Sequence, residues 1–131
     1  MFLDCAPSLD ILNINALVAA DELIVPVAVD YLATVGLTQH LESLAELYAH
    51  GHDCKLSMII PTFYDRVTRE SHDVLQQLAD RFRGLITTPV PRSVRLREAP
   101  AYGKTIWEHA PKSPGAVAYT QILERMLNDE R

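Results

Sequence analysis

The chain has 131 residues, is 48% apolar and carries a formal net charge of -5. That length suits one domain, residues 1–131, with a core of its own. No apolar run reaches the length of a membrane span, and the N-terminus lacks the basic, then apolar, layout of a leader. Two separated cysteines, Cys5 and Cys54, make a reduced cytoplasmic setting the expectation.

The charge is unevenly spread. Residues 1–54 hold eight acids and no lysine or arginine. Residues 55–131 hold all twelve basic residues against nine acids, a net of +3. Such separation suggests an anionic partner for the second half, or an acidic surface that only faces solvent.

The first eight residues read M-F-L-D-C-A-P-S. An apolar pair running into an acid is how a buried parallel strand ends at a ligand crevice. Asp4 is then either a capping acid or a group that holds magnesium through water beside a nucleotide's phosphates. Residues 9–20 read as a helix with Ser8 as N-cap and Asp10 in its positive first turn. It is apolar nearly all round, which predicts burial. Residues 23–29 give a second strand, in which Pro26 marks a bend, an end or an open edge.

Residues 32–50 follow as a helix, with Leu37, Leu41, Leu44 and Tyr48 on one face and Gly51 as C-cap. A third strand spans residues 55–64, a third helix 73–82, and a fourth strand 85–90, closed by Pro89 and Pro91. Residues 92–111 read as irregular. Ser113-Pro114 then opens a last helix, 115–127, with Tyr119, Ile122, Leu123 and Met126 inward. Strand and helix alternating about four times specify an α/β fold: a parallel sheet of about four strands with flanking helices. Its crevice is expected at the carboxyl ends of the strands, near Asp4, Asp30, residues 62–65 and Pro91-Arg92.

Three motifs carry less than they promise. Gly103-Lys104-Thr105 resembles the end of a phosphate loop, but Glu98 stands where the first glycine belongs, and no strand precedes it. It reads as a turn before a short extended segment. His50-Gly51-His52-Asp53-Cys54 is too cramped for a zinc site and reads as a polar loop. Cys5 has no histidine nearby in sequence and reads as a buried strand-end thiol. The arginines are more informative. Arg92, Arg95 and Arg97 follow the fourth strand, and Arg66 and Arg69 follow the third. Loops from one sheet edge would share a basic surface for phosphates, or be solvated with local ion pairs.

The blocks F-L-D-C-A-P-S-L-D-I-L-N-I-N-A-L, A-D-E-L-I-V-P-V, P-T-F-Y-D-R-V-T-R, V-P-R-S-V-R-L-R-E-A-P-A-Y-G-K and P-K-S-P-G-A-V-A-Y together resemble the ParA/Soj partition ATPases, a deviant-Walker group that includes MinD. The resemblance implies the C-terminal half of a deviant-Walker P-loop NTPase fold. It implies a nucleotide-dependent homodimer for plasmid or chromosome partition, using ATP and Mg2+, non-specific DNA and a ParB-type partner on the nucleoid. By the same resemblance Asp4 is the Walker B aspartate near magnesium. Phe63, Pro91 and Arg92 line the adenine pocket, and Arg95 contacts DNA. The second DNA arginine of the family is replaced by Val67, with Arg66 and Arg69 flanking it.

The phosphate-binding loop and the second aspartate motif of the family are not in this sequence, which begins at the Walker B strand. The chain alone is therefore expected not to hydrolyse ATP. Two rival functions follow: a DNA- or partner-binding remnant without catalysis, and another deviant-Walker enzyme such as an amidating synthase.

Overall fold

The computed structural model describes residues 1–6, 10–30, 41, 45, 49, 51 and 53–129. Helix α1 spans Ile11–Ala19, strand β1 Glu22–Ala28 and strand β2 Lys55–Thr62. Helices α2 (Arg69–Arg81), α3 (Val94–Ala101), α4 (Ile106–His109) and α5 (Pro114–Asp129) follow. The expected helix over 32–50 lies mostly outside the described residues, Leu37, Leu44 and Tyr48 included. Leu41, Ala45 and Ala49 are helical within it.

β1 and β2 pair in parallel, from Glu22 beside Lys55 to Ala28 beside Thr62. Leu23 pairs with Leu56 but Ile24 with Met58, so Ser57 is the extra residue of a bulge. Its hydroxyl donates to the Leu23 carbonyl at 3.2 Å. Pro26 sits exposed within β1, which among the described residues is paired on one side only. That matches the open-edge reading of the proline.

The described residues contain two strands, not about four. The reason at the fourth is chemical. Residues 85–92 do run parallel along β2, and the first rungs form: Ile59 N–H to Leu85 O at 2.9 Å and Thr87 N–H to Ile59 O at 3.0 Å. The next two donors in the pattern are Pro61 and Pro89, which have no N–H. Val90 takes over, donating to Pro61 O at 2.7 Å, and the pairing resumes as an isolated bridge between Tyr64 and Pro91. At the first, residues 1–6 join no ladder, and Phe2 and Leu3 are exposed.

Consecutive residues of β2 serve opposite faces, as the pleat requires. Ile59, fully buried, joins Val25, Val27, Val29, Val74 and Leu78 in one core beneath α2. Ile60 packs on the other side with Val90, Ala118 and Ile122, against α5. A sheet covered on both faces explains the near-continuous apolar run of β2. Gly115, buried in the first turn of α5, lets that helix approach Leu96 of α3.

Several sequence expectations are corrected. α1 begins at Ile11, and Asp10 is its N-cap, accepting from the Leu12 and Asn13 amides at 3.1 and 3.0 Å; Ser8 lies outside the described residues. α1 buries no residue fully, contrary to the expected burial: Ile11 is 68% and Leu12 72% exposed. α2 starts four residues before the expected Asp73, with Thr68 as its N-cap and Glu70 in its first turn. Residues 92–111 are not irregular but form α3 and α4. Gly103-Lys104-Thr105 leads into α4 rather than an extended segment: Gly103 takes φ +62° and Thr105 makes a capping box with Glu108. Leu123 is exposed rather than packed inward, and Cys5 is exposed rather than buried. Its thiol has only a long contact to the Leu3 carbonyl, at 3.7 Å.

Candidate nucleotide and phosphate site

The loops after β2 and after residues 85–90 meet, as expected of one sheet edge. Tyr64 N–H donates to Val90 O at 3.1 Å, and Arg92 N–H donates to Tyr64 O at 3.0 Å. This pair of bonds puts Phe63, Pro91 and Arg92 side by side. The Arg92 guanidinium lies 6.0 Å from the centre of the Phe63 ring, within cation–π range. Phe63 is the one non-glycine residue with positive φ, 55°, among the described residues. An aromatic residue there is strained and turns a half-exposed ring outward at the sheet edge.

Below it the loop is clamped. The Arg66 carbonyl can only accept, so His72 Nε2 donates to it at 3.0 Å. In the neutral ring Nδ1 then accepts from the Tyr64 hydroxyl at 3.1 Å. Asp65 accepts from the Val67 amide at 2.9 Å, which closes the turn. Arg66 and Val67 are exposed on this clamped loop, while Arg69, expected in the loop, is exposed as the first residue of α2. Sequence reading missed His72 and Tyr64 as its anchors; nothing in their eight-residue separation reveals the pairing.

Arg95 and Arg97 are exposed on α3. Arg95 donates to Glu98 at 3.0 Å, and His109 Nε2 lies 3.3 Å from the same carboxylate oxygen. The His109 hydrogen bond, then that of Arg95, holds the Glu98 carboxyl below its ordinary value. Tyr102 stacks on the His109 ring at 5.3 Å. This is an exposed pair of the kind that gives way readily to another anion.

Asp4 lines no common cavity with these loops. It lines a cavity of about 620 Å³ shared with β1 and α5, in which Phe63, Pro91 and Arg92 take no part. Among the described residues no three His, Cys, Asp or Glu side chains gather as a metal site. The donor chemistry still fits magnesium, which is commonly held by one carboxylate oxygen together with waters and phosphate oxygens. Asp30 lies exposed just past β1, where the Val29 amide donates to Thr62 O at 2.9 Å.

The comparisons with known proteins bear on this geometry. The model of a family described as an AAA domain matches residues 1–58. The chromosome-partitioning ATPase Soj of Thermus thermophilus is 42% identical over 130 residues, covering 97% of this chain and 52% of that protein. The sporulation initiation inhibitor protein Soj of Bacillus subtilis is 35% identical, covering 96% of this chain and 51% of that protein. Over nearly its whole length the chain is similar to ParA/Soj-type partition ATPases. It spans about half the length of the curated relatives it matches. Among solved structures, cobyrinic acid a,c-diamide synthase of Mycobacterium smegmatis with bound ADP and magnesium superposes with a TM-score of 0.71 at 35% identity. That match covers 95% of this chain and 44% of the synthase. A point variant of McdA from Cyanothece, in complex with ATP, gives a TM-score of 0.76 at 19% identity over 89% of this chain and 46% of that protein, a likeness of fold. Among the described residues no helix is long and apolar enough to cross a membrane.

Proposed function

We propose that this chain carries the base-side wall of a ParA-type nucleotide site next to a surface that binds the DNA backbone. The observation that supports this most is the Tyr64–Pro91 bridge, which joins Phe63, Pro91 and Arg92 at one edge and leaves Arg66, Arg69 and Arg95 exposed. A flat ring beside a guanidinium suits a purine base. Separate exposed arginines suit phosphates spaced along a duplex, with no base-edge reading.

In this reading Asp4 orders a magnesium ion through water, and the ion neutralises phosphate charge when bound. The chain's own residues hold the base and the DNA. The phosphate-binding loop is not among them, so hydrolysis needs groups from elsewhere. The parent activity is ATP-dependent dimerisation and non-specific DNA binding for plasmid or chromosome partition, on the nucleoid in the cytoplasm, with a ParB-type partner. The resemblance to the M. smegmatis synthase favours a second reading, a nucleotide-using amidating enzyme, which makes no use of the arginine surface.

The deciding experiment is DNA binding across a salt series. Arg95→Ala is expected to weaken binding about equally for all sequences and to reduce the slope of log K against log salt by about one. Unchanged affinity and slope would remove Arg95 from the surface and favour the second reading.

A further inference from the structure

The two arginine-bearing segments share a pattern that charge alone leaves unexplained. Residues 66–69 read Arg-Val-Thr-Arg and residues 92–95 read Arg-Ser-Val-Arg, so each places one valine between two arginines. Both valines stand in water: Val67 is 91% exposed and Val94 58%. The four flanking arginines are exposed as well. The segments start side by side, since Tyr64 bridges Pro91 and the Arg92 N–H donates to Tyr64 O at 3.0 Å. A single exposed valine needs no explanation. Two that recur between arginines on adjoining segments do. The first is also held still: its amide donates to Asp65 at 2.9 Å, and the Arg66 carbonyl accepts from His72 Nε2 at 3.0 Å.

We propose that Val67 and Val94 rest on deoxyribose faces of a duplex, beside phosphates met by Arg66 and Arg69 for the first and by Arg95 for the second. They supply a non-ionic part of the binding. This rests on the reading of the arginines as a DNA-backbone surface, and adds to it a contact that salt does not screen. Counterion release scales with the phosphates neutralised, so a valine contact adds affinity without adding to the salt slope. Because the loop at Val67 is fixed in advance, little ordering is lost on contact.

Charge and apolar surface together select the occupant. Nearby acids are engaged, Asp65 with the Val67 amide and Glu98 with Arg95, so the surface calls for an anionic partner. The valines require that partner to present apolar surface between closely spaced anionic groups. A DNA backbone does so at every nucleotide, with a sugar between successive phosphates. An anionic membrane keeps its apolar part beneath the headgroups, where larger side chains such as tryptophan, phenylalanine and leucine reach.

The test is fluorescence anisotropy of a labelled mixed-sequence duplex with the full chain over a salt series. Val67→Ser and Val94→Ser are each expected to weaken binding about three- to tenfold at every salt concentration, with the slope of log K against log salt unchanged. Arg95→Ala, by contrast, lowers that slope by about one. Val117→Ser, exposed on α5 and outside both segments, should leave the affinity as it was. Valine variants that fall on the line of the unaltered chain overturn the valine contact and leave the arginine surface standing. A loss that comes with a changed slope overturns it too, because the substitution then acts through the arginines. Loss of binding to phosphatidylglycerol vesicles, with DNA affinity kept, makes the occupant a membrane and overturns it. An unaltered chain that binds no duplex at any salt overturns the DNA reading itself, and this contact with it.

Discussion

The two halves of the molecule use their apolar side chains differently. In α1 no residue is fully buried, and Ile11, Leu12, Ile14 and Val18 are exposed. In α5 the same kind of side chain, Ile122, is buried, the Arg125 guanidinium reaches the Ile86 carbonyl at 2.8 Å and that of Gly84, and the Trp107 ring N–H donates to Thr120 at 2.9 Å. The basic second half packs a finished core around β2 together with Val25, Val27 and Val29. The acidic first half holds one edge of a core and a helix whose apolar sides are still open. An apolar sequence states what a helix is able to bury, while its neighbours decide whether it does.

The largest expected effect breaks or sustains this contrast directly. Ile59→Ala removes a fully buried side chain at the centre of the sheet and should cost about 2–5 kcal/mol in urea unfolding. Leu12→Ala in α1 should change stability by no more than about 0.5 kcal/mol. Comparable costs would mean that α1 is covered in solution. Next comes the packing of α5. A Cβ at position 115 would lie 2.9 Å from two carbons of Leu96, one of them the branch carbon Cγ, which moves less easily than the chain end. Gly115→Ala should therefore cost about 1–3 kcal/mol despite the better helix propensity of alanine. A stabilised variant would show that α3 and α5 are less tightly joined than the structure has them.

Much of this was legible in advance. Alternating apolar segments with crossover-length connections gave the parallel pairing of β1 and β2, and the Val74–Leu78 stripe gave α2. Ser113 before Pro114 marked the start of α5, and Ser113 Oγ does accept from the Ala116 amide at 3.3 Å. The helices at 94–101 and 106–109 were missed because Pro100 and a run of charges conceal any periodicity. One signal was available: Thr105-Ile-Trp-Glu108 has the capping-box spacing. The broken ladder at 85–92 depends on Pro61 and Pro89 falling opposite each other, a matter of register that sequence does not display. Of the candidate site, the arginines and the Phe63–Arg92 neighbourhood were readable from motif order. The positive φ of Phe63 and the His72 clamp were not, since both arise from how two loops meet.

The smallest expected effect concerns acid. Glu98 accepts hydrogen bonds from His109 and Arg95, and these hold its carboxyl below the ordinary value of 4.5. A lowered folded-state pKa means the unfolded chain binds the proton more readily. The stabilisation from Glu98 is thus fully present above pH 4.5 and is lost as pH falls through the lower folded value. Glu98→Gln should flatten this part of the stability profile and leave neutral-pH folding nearly unchanged, because the pair is exposed. The same variant frees Arg95 from its carboxylate partner. If Arg95 meets DNA phosphates, Glu98→Gln should strengthen DNA binding at low salt while Arg95→Ala weakens it. Opposite signs from two neighbours on one turn of α3 would tie the acid-sensitive pair to the phosphate surface. Equal, null effects would leave Glu98 with the modest structural task of holding α4 against α3.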